Sequence, residues 1–144
     1  MKAANVAEAV KSENAVALLK QMYGENRAEE NAARYQLVAD GFTKEFGDKE
    51  FEFFSAPGRT EIGGNHTDHN HGKVIAASVN LDAVAAASKN DDGIVRVKSR
   101  GYNIDTVEIT DLEVNEEDKG RSRSLVRGIL ARFKELGYNI GGFD

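Results

Sequence analysis

Hydrophobic positions in the first third of the chain recur at helical spacing. Val6, Ala9, Val10, Val16, Leu19 and Met22 fall on one side of a 3.6-residue repeat, and Gly24 supplies a stop, so residues 6 to 23 are expected to form a helix. Tyr35, Val38, Phe42 and Phe46 form a second stripe, which predicts a helix over residues 28 to 46 ended by Gly47. Stripes of this kind signify packing in a core or against a partner and carry no function by themselves.

At Glu50 the period changes. Phe51, Phe53 and Ser55 alternate with Glu52 and Phe54, as in a strand that runs into Ala56-Pro57-Gly58, where the only proline of the chain stands. A loop rich in glycine, asparagine and histidine is expected from about 58 to 73. Val74 to Ala87 is an apolar run of small and β-branched residues, expected to be one or two buried strands. Asn90-Asp91-Asp92-Gly93 is a hairpin-turn signal, and Ile94, Val95 and Val97 continue as a strand. Thr106 to Thr110 predicts a further strand, and residues 115 to 121 a polar surface loop. Ser124 to Leu136 reads as an amphipathic helix with Leu125, Ile129, Leu130 and Phe133 on one face, capped by Gly137. Tyr138 to Asp144 looks like the start of a strand. Helices and strands are mixed without a βαβα alternation, so the class is α+β.

Composition narrows the function. A formal net charge of -5 argues against a dedicated nucleic-acid binder, which needs a basic surface. The absence of cysteine removes disulfides and thiolate metal sites. No apolar run approaches the roughly 18 residues of a membrane span. Charged residues at Glu8, Lys11 and Glu13 interrupt any signal-peptide core. The expectation is a soluble cytoplasmic protein of one domain, or one lobe of a larger one.

Candidate chemistry is concentrated between Ser55 and Gly72, where all three histidines lie. A sugar presents hydroxyls that both donate and accept. An aspartate accepts two of them, an asparagine does both, and a neutral histidine donates at one ring nitrogen and accepts at the other. Asn65, His66 and Asp68 therefore make a hydroxyl-reading set. Arg59 adds a permanent positive fork for a phosphate or a carboxylate. Two other readings stand beside this one: a glycine-rich turn with Asp68 as a cap, and a zinc site made by His66, Asp68, His69 and His71, although that spacing is tight for a structural site. Asn65-His66-Thr67 also fits a glycosylation acceptor, which would matter only after secretion.

The same stretch resembles the signature of the galactokinases, members of the galacto-, homoserine, mevalonate and phosphomevalonate kinase superfamily. That pattern reads Pro-Gly-Arg-x-Asn-apolar-Ile-Gly-Glu-His-x-Asp-Tyr-Asn-x-Gly. Pro57, Gly58, Arg59, Ile62, Gly64, His66, Asp68, Asn70 and Gly72 match it without a gap. Phe53 to Ala56 resembles the family's entry strand and Lys73 to Val79 its next apolar strand. Arg127-Gly128-Ile129 and Gly141-Gly142-Phe143 also resemble stretches of its first half. The resemblance covers about residues 25 to 144 and leaves residues 1 to 24 as a helical extension. It implies the amino-terminal lobe of the GHMP-kinase fold, also found in domain 2 of ribosomal protein S5, with a mixed sheet and helices.

Four positions depart from the pattern: Glu61 stands for asparagine, Gly63 for isoleucine, Asn65 for glutamate and His69 for tyrosine. Asn65 can still hydrogen-bond, but bonds to charged groups are worth roughly 1.5–3 kcal/mol against about 1 for neutral pairs. The family's phosphate loop, Gly-x-Gly-x-x-Ser-Ser-Ser-Ala, does not occur in these residues, nor does its catalytic aspartate, and the resemblance puts both beyond residue 144. It implies, for an intact enzyme, phosphoryl transfer from ATP with Mg2+ to the anomeric hydroxyl of galactose. Arg59 would stand near the reacting hydroxyl, and Asn65, His66 and Asp68 would orient the sugar. The isolated chain is expected to be inactive. A non-catalytic sugar sensor, or a kinase for a related sugar, is the alternative.

Overall fold

The structure, a computed structural model, describes residues 1–64 and 67–144. The chain divides into two compact units, Met1–Ala86 and Ala87–Asp144.

The first unit opens with a 3-10 turn at Ala3–Asn5 and three helices: α1 (Val6–Ala9), α2 (Glu13–Tyr23) and α3 (Ala28–Phe46). The single helix expected over residues 6 to 23 is broken at Ser12. Its backbone is extended, and its hydroxyl oxygen accepts from the Ala15 N–H at 3.3 Å. Serine competes well for this capping position and poorly for a helix interior, so the chain restarts there. Gly24 and Gly47, at φ of 90° and 85°, stop α2 and α3 as expected.

Val6 and Ala3 bury against Ala39 and Phe42 of α3 and against Phe51, with Phe46 and Phe53 packed around them. The Phe42–Phe51 and Tyr35–Phe53 ring centroids lie 5.0 Å apart. Such pairs add roughly 0.5–1.5 kcal/mol beyond area burial. The amino terminus joins this core, because the Met1 ammonium donates to the Phe51 carbonyl at 2.5 Å and the Phe51 N–H donates back to Met1 at 2.9 Å. A second cluster, Leu19, Tyr23 and Ala28, fastens α2 to α3.

Strands β1 (Glu52–Gly63) and β2 (Ile75–Ala87) pair in a two-stranded sheet. β1 therefore runs well past Pro57, and the loop expected from residue 58 begins only after Gly63. A proline is tolerated where its missing N–H faces away from the partner, and each strand of a two-stranded sheet has such an edge. The apolar run expected to be buried is one strand and largely exposed. Only toward its end do half-buried Asp82, Val84 and Ala86 alternate with exposed Leu81, Ala83 and Ala85. The aromatic core reaches this end of β2 through Ala86.

In the second unit β3 (Ile94–Lys98) and β4 (Ile104–Glu108) form an antiparallel pair with Val95 opposite Val107. Asn90 to Gly93, expected as a hairpin turn, only bends the chain at residues 91–93, and β2 and β3 belong to different sheets, so it closes no hairpin. Helix α4 (Ser122–Glu135) buries Leu130 on Val95 and Val107, with Val126 beside it. Leu125 and Ile129, expected on the packed face, are 71% and 57% exposed. The sheet covers only the Val126–Leu130 side of the helix. The polar stretch at 115–121 contains a 3-10 turn, Glu116–Asp118, whose Asp118 is buried and paired with Arg127 and Arg123.

The segment expected to begin a strand makes bridges only at Phe143, parallel to Val95 and antiparallel to Lys89, which gives mixed pairing around β3. Gly142 must be glycine, because a Cβ there would overlap the Asn90 side chain and the Ile94 backbone. The Asp144 side chain is held by Arg96 at 2.9 Å and Asn90 at 3.0 Å.

Candidate functional site

The motif residues occupy the β1–loop–β2 segment. Arg59 lies on β1 directly after Gly58, exposed, with no hydrogen bond or ion pair to another described residue. Gly58 is a close-approach position, since a Cβ there would meet the Leu81 carbonyl at 3.1 Å and the Val79 side chain at 3.3 Å. A larger residue would push β1 away from β2 just where the arginine emerges.

Gly64 turns the chain out of β1 at φ 93°, and a Cβ would overlap the Lys73 carbonyl. Thr67 then organises the loop. Its N–H and hydroxyl both donate to the Gly64 carbonyl, at 2.9 and 2.5 Å. Its own carbonyl accepts from the N–H groups of Asn70 at 3.1 Å and Gly72 at 2.7 Å. Between these ties runs a 3-10 turn, Asp68–Asn70. The loop is thus wound around one threonine, with Gly64 and Gly72 as its corners. His71 follows the turn at φ 60°, exposed.

Of the expected set, Asn65 and His66 lie outside the described residues, and only the backbone of Asp68 is described, opening the 3-10 turn. Among the described residues no group of His, Asp or Glu side chains gathers as metal ligands would.

The sequence reading missed a polar cluster at the base of the two strands. The Asp82 side chain on β2 is only 4% exposed. It accepts from the Ser55 hydroxyl at 2.5 Å, the Tyr23 hydroxyl at 2.6 Å and the Arg34 guanidinium at 2.5 Å, while Arg34 also donates to the Asp82 carbonyl at 2.6 Å. Burial by itself would raise the Asp82 carboxyl. The bonds from Ser55, Tyr23 and Arg34, with the Arg34 charge, outweigh it and hold the group below its usual value. Tyr23 is pushed well above the usual phenol range, first by burial and then by its bonds to Asp82 and Tyr35. One signal was available: a carboxylate between Leu81 and Ala83, inside an apolar strand, needs a partner wherever it is buried.

Among the described residues, two hollows of the second unit lie outside the segment from Pro57 to Gly72. One, of about 440 Å³, is lined by residues such as Leu112, Val114, Lys119 and Arg127. The other, of about 390 Å³, is apolar, between Val97, Leu130, Phe133 and Ile140, and offers no hydroxyl-reading groups.

The family model that describes the galactokinase galactose-binding signature matches residues 40–89, which include β1, the loop and β2. The chain is a relative of the galactokinases. It is 34% identical to the galactokinase of Bacillus subtilis over 108 residues, covering 72% of this chain and 27% of that protein. It is 32% identical to the galactokinase of Lactococcus lactis over 118 residues, covering 80% of this chain and 30% of the relative. The crystal structure of Lactococcus lactis galactokinase complexed with galactose superposes with a TM-score of 0.66 at 29% identity, over 77% of this chain and 29% of that one. The α+β class and the galactokinase-type lobe expected from the sequence are therefore correct. The chain spans about 30% of the length of the curated relatives it matches.

Proposed function

We propose that this chain is the sugar-binding portion of the amino-terminal lobe of a galactokinase-type sugar kinase. The observation that carries the reading is the coincidence of the galactose-binding signature with a strand–loop–strand unit wound on Thr67. In this reading Asn65, His66 and Asp68 hold the sugar hydroxyls. Arg59, exposed and unpartnered among the described residues, stands near the anomeric hydroxyl. There its charge keeps a neighbouring carboxylate ionised, because an adjacent cation lowers a carboxylate's pKa.

ATP and Mg2+ take part in the reaction of the intact enzyme. The residues described here do not fit either of them: the phosphate-loop motif is not among the 144 residues, and no described group of carboxylates or histidines gathers to hold an ion. The chain's own share of the work is to bind and orient the sugar. Phosphoryl transfer rests on positioning and on neutralising phosphate charge, so the isolated chain should not turn over.

Asn65 in place of the family's glutamate favours a second reading, a kinase for a related sugar. A coupled ATP assay on the full-length kinase, run against galactose and other hexoses, tests both. Turnover with galactose supports the first, preference for another hexose the second, and saturable sugar binding without turnover a sensor.

A further inference from the structure

Strand β2 has little burial with which to choose its register. Its first half is exposed apart from half-buried Val79, and its sequence is rich in alanine. Register is strongly specified only where one face is buried, and a slip by one residue sends every side chain to the opposite face. Yet three close approaches tie β1 to β2 in antiparallel order: Ser55 with Asp82, Gly58 with Val79 and Leu81, and Gly64 with Lys73. Two of them are steric fits of glycines, which permit the register without enforcing it. The third is a set of charge-assisted hydrogen bonds, which are short, directional and costly to leave unmade.

Asp82 is built for this purpose. One carboxylate oxygen takes the hydroxyls of Ser55 on β1 and Tyr23 on α2, and the other takes Arg34 on α3. Arg34 also reaches the Asp82 backbone carbonyl and the Asn31 side chain, while Tyr23 is joined to Tyr35 at 3.2 Å. A slip of β2 by one residue would place Leu81 or Ala83 among these donors and strand the Arg34 charge. Ser55 stands four positions before Arg59, on the same strand.

We propose that Asp82 is a positioning residue which fixes the register of β1 against β2, and with it the placement of Arg59 and of the loop wound on Thr67. What that placement serves rests on the sugar-binding reading above.

Amide hydrogen exchange on the 144-residue chain tests the device without any ligand. In Asp82→Asn the amides of residues 56–62 and 75–81 should exchange at least tenfold faster. Amides of α3 around Phe42, and those of β3 and β4, should stay within twofold of the parent. Inter-strand NOEs from Gly58 to Val79 should weaken or move to a neighbouring residue. Ser55→Ala, which removes one hydroxyl and leaves the charge pair, should show a smaller change in the same amides. Unchanged strand exchange in Asp82→Asn, or acceleration spread evenly over both units, would overturn the proposal. Should that variant fail to fold, unaltered strand amides in Ser55→Ala would overturn it equally. A galactose titration is the separate arm. If the parent binds and Asp82→Asn binds at least tenfold more weakly while remaining folded, the positioning role is supported; equal binding contradicts it. A parent that does not bind sugar refutes the sugar-binding reading, and the exchange result still decides what Asp82 does.

Discussion

Gly72 donates its N–H to the Thr67 carbonyl at 2.7 Å, and its Cα faces the same threonine so closely that a Cβ would overlap the Thr67 side chain and carbonyl. The loop therefore closes only with glycine at this corner. Gly72→Ala should cost about 1–3 kcal/mol, the usual range for overpacking. Gly63→Ala meets nothing within 4 Å and should stay within about 0.5 kcal/mol. Urea unfolding of the two variants beside the parent checks the contrast.

The pH dependence of stability should carry the signature of Asp82. Its carboxyl lies below the usual value in the folded state, while in the unfolded chain it titrates near about 3.9. A group depressed on folding stabilises above its unfolded pKa, and that contribution is lost as pH falls through the folded one. The stability gap between the parent and Asp82→Asn should thus be level from neutral pH down to about 4 and shrink below it. Tyr23 acts in the opposite sense. Its raised pKa adds stability below the ordinary phenol value, lost as pH rises through the folded one, so the gap to Tyr23→Phe should narrow only in strong alkali. Denaturant midpoints across pH read both.

The isolated chain should show no turnover with galactose, ATP and Mg2+. A coupled assay on protein freed of host kinase tests this, and real turnover would mean that the phosphate-binding groups lie within these residues.

If the sugar-binding reading holds, Asp68→Ala in the full-length kinase should lower kcat/KM for sugar more than tenfold, since hydrogen bonds to a charged group are worth roughly 1.5–3 kcal/mol. His71→Ala, at an exposed position, should be near neutral, within about 0.5 kcal/mol. Equal losses in both, joined by sensitivity to a chelator, would favour zinc instead.

Much of this architecture was legible in the residues, for reasons that can be named. Helix α3 could be read because its stripe and its stop at Gly47 are local features. The galactokinase resemblance could be read because the motif between Pro57 and Gly72 is short and gapless. What escaped depends on neighbours distant in sequence. Pro57 looked like the end of a strand, but β1 carries on past it because β2 lies alongside. Asp82 does not stand out within the apolar run from Val74 to Ala87, because its partners Tyr23, Arg34 and Ser55 are 27 or more positions away. Leu125 and Ile129 looked like core, because periodicity gives the width of an apolar face and not which part of it a sheet covers.

The most direct test of the account is a titration of the isotopically labelled chain with galactose, followed by amide chemical shifts. The account predicts saturable shifts at Arg59, at the loop from Gly64 to Gly72 and at the adjoining ends of β1 and β2, with β3, β4 and α4 unmoved. It also predicts that Asp68→Ala abolishes the response. A spectrum unchanged at saturating sugar, or shifts confined to β3, β4 and α4, would contradict the claim that this segment is a sugar-binding site.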